Sequence, residues 1–386
     1  MGDTIVVKGA VITPFETITE GAVIVSNGKI EYVGVWDEAE ASGRVYDFGD
    51  NYVSPGFVDL HVHGGAGFDV MDASERVITK LSEHLIVGGV TSFLPTTCSS
   101  PPQDLLAVAR AVKASVVRSG KGAEILGLHL EGPYLNSKRR GAHSAAYIRP
   151  PSIDEFSEIQ SEADGGVRII TLAPEAEGAM ELAEEFSSSD GILSAGHTDA
   201  TYEEMEIAVE AGFRHVTHLF NAMRPFHHRD PGVVGAALAD ERITVDIIAD
   251  GQHLHPAALR LVAMTKGAGK TALVSDSIKP AGLPDGEYRL GDQIVRLKGA
   301  RCTLGSGVLA GSTIRLCDAV RNMVKLARVP LADVVEMASS TPASIIGASD
   351  RKGCLKPGMD ADLTVLDRDY SVLLTIVGGK VVYEKV

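Results

Sequence analysis

Eight short apolar runs, most followed by amphipathic helical text, set the tightest limit on how this chain can fold. The runs are 57–62, 91–95, 125–130, 168–172, 192–196, 214–218, 244–249 and 271–275. The segments between them include ERVITKLSEHLIV (75–87), 102–118, EGAMELAEEFS (177–187) and TYEEMEIAVEA (201–211). Parallel strands need a crossover between neighbours, usually a helix, and strands covered on both faces read as near-continuous apolar text. Eight turns of strand then helix predict an α/β protein with a closed parallel (β/α)₈ barrel, a TIM barrel. An open doubly wound sheet is the alternative, but no glycine-rich dinucleotide fingerprint follows the first strand.

The two ends of the chain read differently, as β structure alone. TIVVKGA (4–10), GAVIVS (21–26) and KIEYVGV (29–35) are broken by the hairpin pair Asn27-Gly28. DLTVL (362–366), VLLTIV (372–377) and KVVYE (380–384) repeat that style, with Gly378-Gly379 at the turn. Neither set alone makes a stable sheet. Together they predict one small β-sandwich domain built from both termini, 1–54 plus 354–386, around a barrel spanning 55–353. Residues 285–305 (DGEYRLGDQIVRLKGARCTLG) read as a hairpin insertion after the eighth strand.

Composition narrows the function classes. A chain of 386 residues with 45% hydrophobic and 23% charged residues can bury a large core and is ordinary for a soluble protein. No stretch approaches the roughly 20 apolar residues of a membrane span. The first residues, MGDTIVVKGAVITP, lack the basic segment and apolar core of a secretory signal, so a cytoplasmic location is expected. Cys98, Cys302, Cys317 and Cys354 are far apart, as reduced thiols would be. A formal net charge of −15 argues against nucleic acid as a partner, and an anionic small molecule would need a locally basic pocket.

Chemistry in a TIM barrel sits at the C-terminal ends of the strands. The first strand ends in His61-Val62-His63, and alternation sends both imidazoles to one side, half of a metal site. The other ends bring Glu131 on the third strand, His197 on the fifth, His218 on the sixth and Asp276 on the eighth. Singly, an Asp there also serves as a helix cap, and a lone His as a structural residue. Six such residues on five strands point to one site.

The motifs PGFVDLHVHG (55–64), HLEGPYLN (129–136), SAGHTDA (194–200), HLFNAM (218–223), DGQHLHP (250–256), LVSDSIKPAG (273–282), LAGST (309–313) and KPGMDADLTVLD (356–367) resemble those of the N-acetylglucosamine-6-phosphate deacetylases. These are a branch of the amidohydrolase superfamily, and the resemblance runs over nearly the whole chain. It implies metal-dependent hydrolysis of the acetamide of a phosphorylated amino sugar, giving the free amine and acetate. Glu131, His197 and His218 would hold the principal divalent metal, with His61 and His63 completing a second site that Glu131 bridges. One or two ions of Zn, Fe, Mn or Co are expected, and no carbamylated lysine. Asp276 would act as general base and then general acid, and His253 would hold and polarise the substrate carbonyl.

For the phosphate, the resemblance implies His143, the backbone at Asn221 and Ala222, and Arg229. That arginine would reach in from a neighbouring subunit, so a homodimer with a shared active site is expected. Lys138-Arg139-Arg140, Arg224, His227 and His228 would raise the local potential, unless they are solvated loop charges. The loop GSGVLAGST (305–313) would line the sugar and acetyl pocket. N-acetylgalactosamine 6-phosphate, the epimeric substrate, is the rival within the class. A non-catalytic amidohydrolase-like scaffold is the rival outside it, although scaffolds of that kind usually lose their metal ligands.

Overall fold

The computed structural model describes residues 4–13, 16–36, 43–116, 120–186 and 191–385. Residues 117, 118 and 187, which end two of the expected helices, lie outside them. The eight barrel strands form where the apolar runs lie: Phe57–Val62, Val90–Pro95, Leu128–Glu131, Val167–Leu172, Ile192–Ala195, Phe213–Val216, Thr244–Ile248 and Thr271–Val274. A short piece, Glu124–Ile125, precedes the third and pairs with the second. Parallel ladders run from the third strand to the eighth and from the first to the second. The bridge Thr96–His129 joins the second strand to the third, and Val62–Ser277 joins the first to the eighth, so the barrel closes.

Helices cover the wall because their apolar residues recur on one face. Glu75–Leu85 buries Ile78, Leu81, Ser82 and Leu85, the i, i+3, i+4, i+7 stripe of an amphipathic helix. Tyr202–Glu210 starts at a capping box, in which Thr201 accepts from the Glu204 N–H and Glu204 accepts from the Thr201 N–H. Val58, Leu60, Leu94, Ile169, Ile248 and Val274 pack with Ala343 and Ile345 of the short helix Ser340–Ile345.

The termini build one seven-stranded sheet. Its order is Lys380–Glu384, Val372–Val377, Leu363–Leu366, Arg44–Pro55, Ile5–Ile12, Thr17–Ser26, Lys29–Val35. Val7 and Val23 from one half share a core with Leu374 and Ile376 from the other, which makes the sheet the small β-sandwich expected from both ends. The strand Arg44–Pro55 had no counterpart in the sequence reading. It joins the halves, parallel to Ile5–Ile12 and antiparallel to Leu363–Leu366. The insertion after the eighth barrel strand is a three-stranded antiparallel sheet, Gly286–Leu290, Gln293–Lys298 and Arg301–Leu304, one strand more than a hairpin. Its first turn leans over the barrel mouth, where Ser144 Oγ donates to Asp292 at 2.8 Å and Gln293 Nε2 donates to the Ala142 carbonyl.

Candidate metal centre and active-site cavity

Glu131 ends the third strand and collects the site around both of its carboxylate oxygens. Oε1 lies 3.1 Å from His218 Nε2 and 3.3 Å from His197 Nε2. Oε2 lies 3.1 Å from His63, 3.2 Å from His143 and 3.5 Å from His61, each at Nε2. The rings also crowd one another, with His61 and His63 Nε2 3.0 Å apart and His197 and His218 Nε2 3.1 Å apart. Asp276 Oδ1 stands 3.6 Å from His61 and 3.5 Å from His63. All seven residues are buried.

The backbone is bent to make this possible. His197, His218 and Asp276 have φ of 47°, 35° and 47°, a left-handed conformation in which the strand ends turn. Such residues cost of order 1–3 kcal/mol each and persist where surrounding contacts over-determine them. For His218 that contact is Asp246, whose Oδ1 accepts its backbone N–H while Oδ2 lies 3.1 Å from His215. For His197 the loop beyond it is tied by Glu175, which accepts from Asn136 Nδ2 at 2.8 Å and the Asp199 N–H at 2.6 Å.

The outer ring nitrogens assign the inner ones. His197 Nδ1 lies 2.9 Å from the Arg139 carbonyl and His63 Nδ1 lies 3.2 Å from that of Thr96. A carbonyl only accepts, so these Nδ1 atoms carry the protons, and in the neutral form each ring would turn an Nε2 lone pair toward Glu131. His143 is the reverse. Its Nδ1 accepts from the Ser99 N–H at 3.0 Å, which puts the proton on Nε2, where it donates to Glu131. His143 is therefore placed as a donor at the rim, not as a ligand.

Lone pairs of two imidazoles pointing at an anionic carboxylate repel it unless a cation stands between them. The Nδ1 atoms of His61 and His218 are buried without a partner, as those of rings held only through Nε2 would be. Imidazole nitrogens with one two-ended carboxylate suit Zn, Fe, Mn or Co, so the residues fit a divalent transition metal. The carboxylate and the rings also shift one another. Burial alone would raise Glu131, but the surrounding imidazoles hold its carboxyl well below the usual range. Burial alone would lower His218, yet Glu131, Asp276 and Asp246 bring it to about 9. Burial and the charge of His143 take His197 down to about 4.

A cavity of about 300 Å³ opens on this cluster. Asn221, Ala222 and His253 line it, as do Val308, Leu309 and Gly311 of the glycine-rich loop and Leu290–Gln293 of the insertion. His253 is set by Asp250, whose Oδ2 lies 2.8 Å from its Nδ1, leaving Nε2 for the cavity. The sequence reading passed over Asp250, although it ends the seventh strand just as the other site residues end theirs. It also passed over Cys98, a cavity-lining thiol 3.4 Å from His63 Nδ1.

Arg229 is the one expected residue that stays away. It is exposed on the loop after Met223 and its guanidinium meets His228 at 2.9 Å, outside its own cavity. The basic run does not line the cavity either. Arg139 pairs with Asp199 at 2.7 Å, Arg224 with Asp230 at 2.8 Å, and Arg140 donates to the His143 carbonyl. All four cysteines are free, and among the described residues no helix is long and apolar enough to cross a membrane.

The model of the amidohydrolase family matches residues 52–382. N-acetylglucosamine-6-phosphate deacetylase of Bacillus subtilis (strain 168) is 39% identical over 388 residues, covering 99% of this chain and 98% of that protein. N-acetylgalactosamine-6-phosphate deacetylase of Escherichia coli O157:H7 is 38% identical over 326 residues, 84% of this chain and 86% of that one. Among solved structures, a mutant N-acetyl-D-glucosamine-6-phosphate deacetylase of Mycobacterium smegmatis, in complex with N-acetyl-D-glucosamine-6-phosphate, superposes with a TM-score of 0.93. That pair is 32% identical, and the match covers 99% of this chain and 100% of the other.

Proposed function

The chain belongs to the amidohydrolase family, and from that premise we propose that it hydrolyses the acetamide of N-acetyl-D-glucosamine 6-phosphate to D-glucosamine 6-phosphate and acetate. The observation that carries the reading is the convergence of His61, His63, His197 and His218 on the two oxygens of Glu131, with Asp276 facing His61 and His63 beside them, in a cavity of sugar size.

Glu131, His197 and His218 would hold the principal divalent ion, one of Zn, Fe, Mn or Co, and His61 and His63 would offer a second position. When bound, the metal supplies Lewis acidity toward the amide oxygen and an acidified water. Asp276 accepts the proton of the attacking water and delivers it to the departing sugar nitrogen, so the leaving group is a neutral amine. His253, fixed by Asp250, faces the carbonyl oxygen as negative charge develops there. His143, with its proton on Nε2, is a donor at the rim of the same cavity. The Asn221 and Ala222 backbone meets the phosphate.

Arg229 completes the phosphate site from a neighbouring subunit, which makes the working unit a homodimer. Its exposed place outside its own cavity supports this. The reading keeps the cytoplasmic location and the domain limits expected from the sequence. The galactosamine epimer is the second substrate to test, because a relative with that name stands at 38% identity. A non-catalytic scaffold does not suit a ligand set kept whole.

The test is acetate release by metal-replete protein from N-acetylglucosamine 6-phosphate, N-acetylgalactosamine 6-phosphate and unphosphorylated N-acetylglucosamine. The expected result is fastest turnover of the first and a large loss without the phosphate. Activity on none of them, with metal bound, would overturn the reading.

A further inference from the structure

Asp59 sits two residues before His61, wholly buried, and takes no part in the cluster. One of its oxygens does two jobs. Oδ1 accepts the backbone N–H of His61 at 3.3 Å and the backbone N–H of Ser275 at 3.2 Å. Among the described residues Oδ2 has no hydrogen-bond partner, although the Ser275 side chain stands close enough to act on the carboxyl. Isolated buried carboxylates are costly, so one that spends a single oxygen on two main-chain donors calls for an explanation.

Its place supplies one. The barrel closes between the first and eighth strands, and their regular pairing is confined to the mouth. There Asp276 N–H donates to the His61 carbonyl at 2.9 Å and His63 N–H donates to the Ser277 carbonyl at 2.9 Å. Below those contacts the pairing of the first strand with its other neighbour also slips, between Asp59 and Val62. Asp59 Oδ1 fills the gap, and the two residues it holds are His61 itself and the neighbour of Asp276. The separation of His61 Nε2 from Asp276 Oδ1, 3.6 Å, spans this same seam.

We infer that Asp59 is a positioning residue for the reaction: by accepting two main-chain N–H groups across the barrel seam through one oxygen, it fixes Asp276 against the His61–His63 pair. The inference rests on the proposed function, since Asp276 needs a position only if it handles the proton. What matters is where Oδ1 stands, not the charge of the carboxylate. Asparagine separates these alternatives, because both main-chain bonds are made to Oδ1, which the amide keeps.

The test compares Asp59→Asn with Asp59→Glu. Asparagine keeps Oδ1 in place and removes the charge; glutamate keeps the charge and moves the acceptor by one methylene. With N-acetylglucosamine 6-phosphate, Asp59→Asn is expected to retain kcat within about threefold. Asp59→Glu is expected to lose about a hundredfold in kcat, the order that a misplacement of 1 Å costs, with KM within about twofold. Crystal structures should show the His61–Asp276 separation unchanged in the asparagine variant and altered in the glutamate variant. The opposite order, glutamate active and asparagine not, would overturn the inference in favour of a charge effect. Equal activity of both variants would overturn it outright. Should either variant not fold, Ser275→Pro, which removes the second donor, is read against Ser275→Ala, which keeps that N–H and removes only the hydroxyl. The proline variant alone is expected to show the fall in kcat at steady KM, and wild-type kcat in it, or an equal fall in both, would overturn the inference. Inactive wild-type protein would instead sink the proposed function, so the two failures are distinct.

Discussion

At the scale of single residues, the site is decided by which ring nitrogen holds a proton. His63 and His197 spend Nδ1–H on carbonyls and turn lone pairs inward, whereas His143 receives an N–H at Nδ1 and turns a donor inward. Sequence spacing shows that His61 and His63 share a side of the strand, but a tautomer depends on partners such as Arg139 and Ser99, far away in the chain. Glu131→Gln should weaken binding of Co²⁺ at least about tenfold, because the charged, accept-only carboxylate that the imidazoles surround becomes a neutral amide that also donates; titration of the apoprotein measures this. Asp276→Asn should keep its metal and its KM while kcat falls about 10²- to 10⁴-fold, the range lost with a general acid–base. Metal analysis beside steady-state kinetics checks both halves. The strand-end residues were legible because each follows an apolar run. Asp59 and Asp246 were not, since a buried carboxylate that serves a backbone N–H leaves no pattern in the sequence.

Among elements, the barrel strands followed the apolar text, and the misses were the third strand of the insertion, Arg301–Leu304, and Arg44–Pro55. The sequence of this last strand, RVYDFGDNYVSP, mixes charged, aromatic and glycine residues, and five of its twelve residues are exposed. It is a strand because partners on both sides supply its hydrogen bonds, which no local signal encodes. Where this β-domain meets the barrel, Lys352 is buried among Glu124, Asp360 and Asp362 at 2.5, 3.0 and 2.6 Å, with Arg351 beside them. Glu124 belongs to the barrel and the two aspartates to the approach to the terminal sheet, so the lysine clamps the two parts. Lys352→Met should cost about 3–5 kcal/mol in urea unfolding, because three carboxylates lose their central cation. The pH dependence has a sign. Burial would raise Asp360, but Lys29, Lys352 and Arg351 hold it down to about 2, below its unfolded value of 3.8. Its contribution is whole above that unfolded value and is lost as pH falls from about 4 toward 2. Lys352 is raised on balance by the same carboxylates, against its burial, so its share is present below its unfolded value and is lost only in strong alkali. In Lys352→Met the acid limb of the stability curve should be shallower than in the wild type.

For the whole molecule, the barrel and the termini were readable because periodicity and turn chemistry are properties of the chain itself. The assembly is not, and Arg229 shows why. On its own subunit its guanidinium meets His228 and its backbone N–H donates to His227, and the aromatic Phe226 on the same loop is exposed. In the proposed homodimer, this guanidinium, suited to a phosphate but placed outside its own cavity, would serve the cavity of the second copy. That arrangement predicts complementation. Arg229→Ala homodimers should bind phosphorylated sugar weakly, and Asp276→Asn homodimers should not turn over. In a heterodimer of the two, one cavity has an intact Asp276 and receives a wild-type Arg229 from the other chain. Mixed and re-equilibrated in equal amounts, the two preparations should recover about a quarter of wild-type activity at low substrate, since half the dimers are mixed and each has one whole site. If Arg229 served its own subunit, no mixture would hold a complete site. The measured rate would then be the average of the two parents, which would place the phosphate pocket within a single chain.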